Sequence, residues 1–488
     1  MSVLIETTRP SFIKRLTDSN KMAGRIRSLW KSFVKKVWSR DPEVVYGEGS
    51  PGSLPPKCMN LEPLEPDLIC SYTGPDGGIA ALEDQRNGMR SNSTGSEHRS
   101  AAPLNYRQLE RPIAGSTDWC QKHDCAYGTA VSLYDQAEGQ ERPQGEPVAD
   151  VFAIAVHGNS CVMALADGVG WGEKPRLAAR CAVRGCMEYV HQELYETPRC
   201  LDYALLDTHK VTKVLLMSLK QAQNLIIQKE GTMTTLCIGM VCRLAVPDGN
   251  RAWALVTVNV GDSLAYAYSP TTGRVREVTV GSHTKDRDMK DAGGVLGPAD
   301  GVNPDLENLT CSLTTVASGD MVFLTSDGIS DNYDPVVLRK ARPVPTSRTP
   351  AEQTAAVWMD LPLMTQAQRQ EHQAQKMAEV LNGNLSNEDD WTARRVCAAL
   401  VGFTVQYTHT RRELLQAPDV VRLSELSRDK RQEVQSRLED DLRKTTGKLD
   451  HAAVVAFKVQ QFAKSSSLTA TMRRHATVSS IMEDLNNL

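Results

Sequence analysis

Cys161-Val162-Met163-Ala164-Leu165-Ala166-Asp167-Gly168 sets six apolar residues against a carboxylate and a residue without a side chain. The design recurs twice. Met321-Val322-Phe323-Leu324-Thr325-Ser326 runs into Asp327-Gly328, and Asp450 stands just before the apolar run 452–459. Short apolar runs rich in β-branched residues read as buried strands, so each aspartate marks a strand terminus. Taken singly, Asp-Gly is an ordinary turn dipeptide. If the three strands are neighbours, their ends bring three carboxylates together. Grouped carboxylates repel, and one keeps its proton unless a cation intervenes. All-oxygen ligation favours magnesium or manganese over zinc or copper, and Gly168 leaves room for its own carbonyl to approach an ion.

Working outward, 151–156 and 160–166 read as strands around His157-Gly158-Asn159, a hairpin signal. Segments 176–195 and 203–229 read as long helices. Runs at 234–246, 252–260, 263–268 and 321–325 return to strand, and 335–446 is mostly helical, with its clearest periods at 365–381, 392–405 and 423–444. Strands at both ends with helix pairs between them predict an α+β domain over 105–462, helices covering a mainly antiparallel sheet or sandwich. The 335–446 segment reads as an enlarged helical surface insertion. Residues 41–104, with Pro, Gly and Ser clusters and no apolar period, read as a flexible linker. The Ser/Thr-rich 463–488 reads as a disordered tail.

The chain of 488 residues has a formal net charge of −3, but residues 1–40 alone carry ten basic and two acidic side chains, a net of +8, leaving −11 elsewhere. Chain-wide nucleic-acid binding is thereby excluded. Within the basic head, Ile26, Leu29, Trp30, Phe33, Val34 and Val37 line one helical face opposite Arg27, Lys31 and Lys35. Such a segment suits an anionic membrane surface or a calmodulin-like partner, a mitochondrial presequence, or packing on the chain's own acidic body. With no long apolar stretch and no secretory h-region, a monomer in the cytoplasm, membrane-associated at most through 26–37, is the expectation. Three Cys-x4-Cys pairs suggest zinc, but that spacing points the thiols apart on a strand or a helix.

Five elements carry a family resemblance. Ala166-Asp167-Gly168-Val169-Gly170-Trp171-Gly172, Gly231-Thr232-Met233-Thr234-Thr235-Leu236, Asn259-Val260-Gly261-Asp262-Ser263, Thr325-Ser326-Asp327-Gly328-Ile329-Ser330-Asp331 and Gly447-Lys448-Leu449-Asp450-His451 occur in the order found in metal-dependent serine/threonine phosphatases of the 2C, or PPM, type. The chain resembles their Ala-Asp-Gly-Val-Gly branch. The resemblance implies a four-layer β-sandwich flanked by helix pairs, and composition adds a disordered N-terminal region before it. It also implies two manganese or magnesium ions, with Asp167 bridging them, Asp327 and Asp450 completing one site and the Gly168 carbonyl serving the other. Hydrolysis of phosphoserine and phosphothreonine in a phosphoprotein by a metal-activated water follows from it.

Departures from the pattern open an alternative. The family's opening Glu-Asp pair is best matched by His123-Asp124, which makes Asp124 a candidate ligand and weakens the second ion site. Trp119 stands nearest the usual phosphate-binding Arg, with Lys122 as a substitute lacking the bidentate fork. Val169 follows the Asp-Gly pair where many members have His. His451 and Ala453 replace a polar residue and a Thr beside Asp450. Asp262 reads as outer-shell and Asp331 as a ligand for a weak third ion or a turn cap. A catalytically weak or inactive pseudophosphatase, sensing phosphate or acting as a scaffold, is the competing expectation.

Overall fold

The computed structural model describes residues 44–46, 58–82, 109, 111–136, 143–196, 206–248, 250–279, 282, 292–345, 360–385 and 391–462. The basic segment 1–40, with its amphipathic face at 26–37, and the tail 463–488 lie outside the described residues.

The architecture grows from one hairpin. Strands β4 (Val151–His157) and β5 (Ser160–Ala166) pair antiparallel across the two-residue turn Gly158-Asn159, with His157 opposite Ser160. Every side chain in both strands is buried, which requires a layer on each face. The period of two sorts them. Val162, Ala164 and Ala166 enter a core shared with helices, whereas Cys161, Met163 and Leu165 enter a second core between two sheets.

The first sheet has seven strands: β1 (Val44–Tyr46), β2 (Leu68–Gly74), β4, β5, β6 (Leu236–Asp248), β7 (Arg251–Val260) and β12 (Thr310–Val316), ordered β1-β12-β7-β6-β5-β4-β2. Only the β1–β12 pairing is parallel among them. The second sheet contains β3 (Ala126–Ser132), β8 (Leu264–Ser269), β9 (Arg274–Glu277), β13 (Met321–Thr325) and β16 (His451–Lys458), ordered β3-β16-β13-β8-β9 and antiparallel throughout. Two short ribbons, β10–β11 (Val295–Asp300, Asn303–Asp305) and β14–β15 (Arg342–Pro343, Leu363–Met364), complete the strands.

Helices α1 (Glu173–His191) and α2 (Thr208–Gln228) cover the first sheet through Ala178, Ala182, Val183, Val211, Leu215 and Ile226. Asp207 caps α2 by accepting from Lys210 N at 2.7 Å. Beyond the second sheet lie α4 (Gln366–Asn384) and α5 (Ala393–Tyr407), which bury Met377, Leu381, Val396, Cys397 and Leu400 against Tyr266, Phe323 and Val454. The result is the expected four-layer sandwich, helix pair on sheet on sheet on helix pair. Its three cores account for the alternation in β16: Ala452, Val454 and Ala456 face the helices, while Ala453, Val455 and Phe457 face the other sheet.

Two domain readings change. Residues 58–82, read as linker, belong to the sandwich. Strand β2 closes one edge of the first sheet, and Leu61, Ile79 and Leu82 enter the helix-side core. An edge strand leans on a single neighbour and needs no clean apolar alternation, which is why composition concealed it. The 335–446 segment also divides. Helices α4 and α5 form an outer layer of the fold, whereas α6 (His409–Leu415), α7 (Pro418–Val421) and α8 (Arg428–Lys444) bury only Val434 between them. Cys237 and Cys242 sit in different cores, as the strand period requires. Among the described residues no helix is long and apolar enough to cross a membrane.

His157 ends β4 stacked on Tyr195 (ring centroids 3.9 Å), with Nδ1 3.1 Å from the Pro66 carbonyl. Burial depresses its pKa to about 4, partly offset by that carbonyl, with His191 adding to the depression. The unfolded chain therefore binds the extra proton first. Stability present above about pH 6.5 declines as pH falls towards 4, by up to about 3 kcal/mol from this group. Chemical denaturation across that range should show the slope, and His157→Asn should flatten it.

Candidate metal centre

The antiparallel pairing of β13 with β16, Thr325 opposite Val454, brings the exit of one strand to the entrance of the other. Asp327 and Asp450 therefore share one end of the second sheet. There Asp327 opens α3 (Asp327–Ser330), so Asp327-Gly328 is the first turn of a short helix and not a loop dipeptide. Gly328 is needed for closeness. A Cβ on it would lie 1.8 Å from the His451 carbonyl oxygen. Gly168 has the same role on the other sheet, where a Cβ would meet the Pro175 carbonyl oxygen at 2.6 Å and Ala149 Cβ at 3.0 Å.

Asp167, at the end of β5, is held by its main chain. Its N–H donates to Thr235 Oγ1 at 3.0 Å, and its carbonyl accepts from Thr234 Oγ1 at 2.7 Å and Thr235 N at 2.8 Å. Thr235 Oγ1 is bonded in turn to Ser263 Oγ at 2.8 Å. The Thr-Thr and Gly-Asp-Ser elements thus position Asp167. Gly261 N donates to Asn308 Oδ1 at 2.9 Å, which secures the Asn259–Ser263 turn.

A fourth carboxylate enters that sequence reading missed. Asp150, just before β4, is fully buried, and neither of its oxygens makes a well-formed hydrogen bond, although Ser326 and Asp167 lie within electrostatic reach. Burial pushes its pKa up to about 8; the Ser326 hydroxyl opposes this, while Asp450 and Asp327 add to it. Burial likewise lifts Asp167 well above the carboxylate range, followed by the charges of Asp150, Asp327, Asp450 and Asp262. For Asp450 burial and Asp327 raise the value to about 7, against the pull of Lys448. An orphaned carboxylate at zero exposure among like charges is the environment a divalent cation relieves. Asp150, Asp167 and the Gly168 carbonyl therefore fit such an ion by donor chemistry.

Asp124 does not join the cluster. Register places Ala126 opposite Phe457 and Ser132 opposite His451, so Asp124 lies beyond the far end of β3. At about 3.4 Å per residue that is roughly 20 Å or more from Asp450. There Asp124 is exposed, its carbonyl accepts from Ala393 N at 2.8 Å, and His123 packs edge-on against Phe462. Lys122 is remote too, with Nζ 5.2 Å from the Tyr72 ring centroid. Trp119 is buried and donates Nε1–H to the Ile113 carbonyl. At the cluster's end of the sandwich, the aspartate standing just before a strand is Asp150. Its available signal was the one that revealed the other aspartates, a carboxylate abutting the apolar run 151–156.

His451 is a clamp. Ala149 N–H donates to Nδ1 at 3.3 Å, which leaves the ring proton on Nε2 to donate to the Gly145 carbonyl at 2.8 Å. Burial lowers its pKa and keeps it neutral, with that carbonyl opposing. Both bonds fix the loop carrying Asp150. Tyr134 adds a hydroxyl that donates to Asp450 Oδ1 at 3.2 Å, and burial raises its pKa so that the proton stays. Val169 and Trp171 are exposed at 41% and 54%, the latter edge-on to Tyr134 at 4.6 Å.

One cation is already inside. The Lys448 ammonium contacts Asp327 Oδ2, Asp331 Oδ2 at 2.8 Å and Asp450 Oδ2 at 3.1 Å. Burial disfavours its charge, but the three carboxylates outweigh that and raise its pKa. Among the described residues no three His, Cys, Asp or Glu side chains stand as a ready metal cage, and the ammonium is lodged among three of the five clustered aspartates.

Residues 140–382 match the family model for protein phosphatase 2C. A PP2C-like domain-containing protein of Drosophila melanogaster is 47% identical over 227 residues, 46% of this chain and 31% of that protein, so the match spans less than a third of the relative's length. Among solved structures, that of the photosystem II phosphatase PBCP covers 69% of this chain and 98% of its own at 15% identity and a TM-score of 0.36. The serine/threonine phosphatase of S. agalactiae covers 69% and 100% at 14% identity and a TM-score of 0.32.

Gly328→Ala tests the convergence directly. A methyl group aimed at backbone that cannot retreat should destabilise the fold by about 3 kcal/mol, read as a lower denaturant midpoint with unchanged slope.

Proposed function

Over residues 140–382 the chain belongs to the protein phosphatase 2C, PPM-type family, and on that premise we propose that it is a metal-dependent phosphoprotein phosphatase acting on phosphoserine and phosphothreonine. The observation that carries this reading is the buried, unpartnered Asp150 beside Asp167, with Asp327 and Asp450 at the same end of the sandwich. Asp150, Asp167 and the Gly168 carbonyl would hold magnesium or manganese, hard cations suited to oxygen donors. Such an ion, when bound, lowers the pKa of water and offsets charge on phosphoryl oxygens.

The chain's own groups have separate tasks. His451 holds the Asp150 loop, and the Thr234–Thr235 hydroxyls hold Asp167. Tyr134 Oη keeps its proton and orients Asp450. Trp171, exposed beside Tyr134, borders the centre where a phosphorylated segment would lie. A second reading, an inactive pseudophosphatase serving as a phosphate-sensing scaffold, is favoured by Lys448, which occupies carboxylates a two-ion centre would use.

Hydrolysis of a phosphothreonine peptide by purified full chain with manganese separates the two. Turnover should fall about 100-fold or more in Asp150→Asn and stay within about twofold in Asp124→Asn, since that side chain is remote. No turnover by folded wild type at any manganese concentration supports the second reading. Partner binding through 26–37 is a further part of the proposal: the full chain should co-sediment with anionic liposomes and a version lacking 1–40 should not, equal binding arguing against it.

A further inference from the structure

Lys448 is placed by its backbone before its side chain makes any contact. Its N–H donates to Asn332 Oδ1 at 2.8 Å, and Asn332 Nδ2 donates back to the Lys448 carbonyl at 3.0 Å and to the Gly328 carbonyl at 2.7 Å. Asn332 is fully buried and follows Asp331 directly. The latch therefore joins the strand carrying Asp450 to the turn carrying Asp327 and Asp331. From that point the lysine stem, 26% exposed, delivers its ammonium among all three.

All three carboxylates on that side pair with the ammonium: it donates to Asp327 Oδ2 and Asp331 Oδ2 and forms an ion pair with Asp450 Oδ2 at 3.1 Å. Asp450 is satisfied at its other oxygen as well, with Oδ1 accepting from His451 N at 2.9 Å and from Tyr134 Oη at 3.2 Å. The other side of the centre differs. Asp150, at zero exposure, has neither oxygen in a well-formed hydrogen bond, and the Ser326 hydroxyl and Asp167 adjoin it. The one ammonium lies among Asp327, Asp331 and Asp450 and offsets part of their charge, whereas among the described residues no cationic side chain is paired with Asp150 or Asp167.

We propose that the Lys448 ammonium is a tethered replacement for one of two divalent cations, leaving a centre that takes a single ion through Asp150 and Asp167. The assignment rests on reading this cluster as the metal centre of a phosphatase-type domain, but not on turnover. An ammonium neutralises carboxylates yet presents no coordination position for water or phosphate. Lys448 thus stabilises the strand ends without metal and limits the chemistry they support. A divalent ion on that side would need the oxygens Lys448 holds, at the shorter distances of metal ligation.

Manganese titration of the full chain, by calorimetry and by electron paramagnetic resonance of free Mn2+, reads this directly. Wild type should bind one ion per chain, and Asp150→Asn should lose it. Lys448→Ser should bind two, and Lys448→Arg, which keeps the charge, should bind one. In EDTA the Lys448→Ser melting temperature should drop by about 5 °C relative to wild type and recover with manganese, while wild type changes less. A wild-type stoichiometry of zero or two overturns the proposal without any variant. An unchanged single ion in Lys448→Ser also overturns it. Stoichiometry that shifts from one to two without phosphopeptide turnover in either protein supports it while refuting the phosphatase reading. Turnover by a wild type that binds two ions does the reverse.

Discussion

Carboxylates crowded at low exposure repel one another, and that repulsion is the constraint this end of the molecule is built around. Asp150, Asp167, Asp327, Asp331 and Asp450 meet where two sheets present their strand ends, and burial removes the water that would screen them. Two answers appear side by side. On one side an ammonium from the chain sits among three carboxylates and offsets part of their charge. On the other, the raised pKa values of Asp150 and Asp167 mark charge still awaiting a proton or a cation.

Such a cluster is held together only by a scaffold with stability to spare. The hairpin β4–β5, buried on both faces, sets Asp150 and Asp167 at adjacent strand ends because Val151 pairs with Ala166. The β13–β16 ladder does the same for Asp327 and Asp450. Around them, His451, Thr235 and Asn332 tie loop to strand by bonds between distant parts of the chain. Two glycines permit the approach that any Cβ would prevent. The electrostatic cost is thus met by packing in three apolar cores away from the site.

Much of this was legible in the residues. The apolar runs ending in Asp167-Gly168 and Asp327-Gly328 and the run after Asp450 read correctly as strands, because strands buried on both faces leave a compositional mark. The turn at 158–159 and the helices α1, α2, α4 and α5 were equally plain from their periods. Residues 58–82 escaped because β2 is an edge strand with a bulge near Leu68 and its helical turn is short. His123-Asp124 misled because an aspartate before a strand looks the same at either end of a sheet. Only the pairing of Ser132 with His451 shows that β3 runs towards the cluster, which places Asp124 beyond its far end.

By itself the sequence carried the family resemblance, the sandwich class and the three aspartates at strand ends, since local pattern and motif order hold that information. Tertiary structure decided which aspartate completes the set, that His451 is a neutral clamp, and that Lys448 lies among the carboxylates. The physical reason is range. Strand burial is written in neighbouring residues, whereas the charge at a site is summed over side chains that meet only after folding: Asp150 and Asp450 are 300 positions apart in the chain, and Lys448 reaches Asp327 only because Asn332 holds its backbone there.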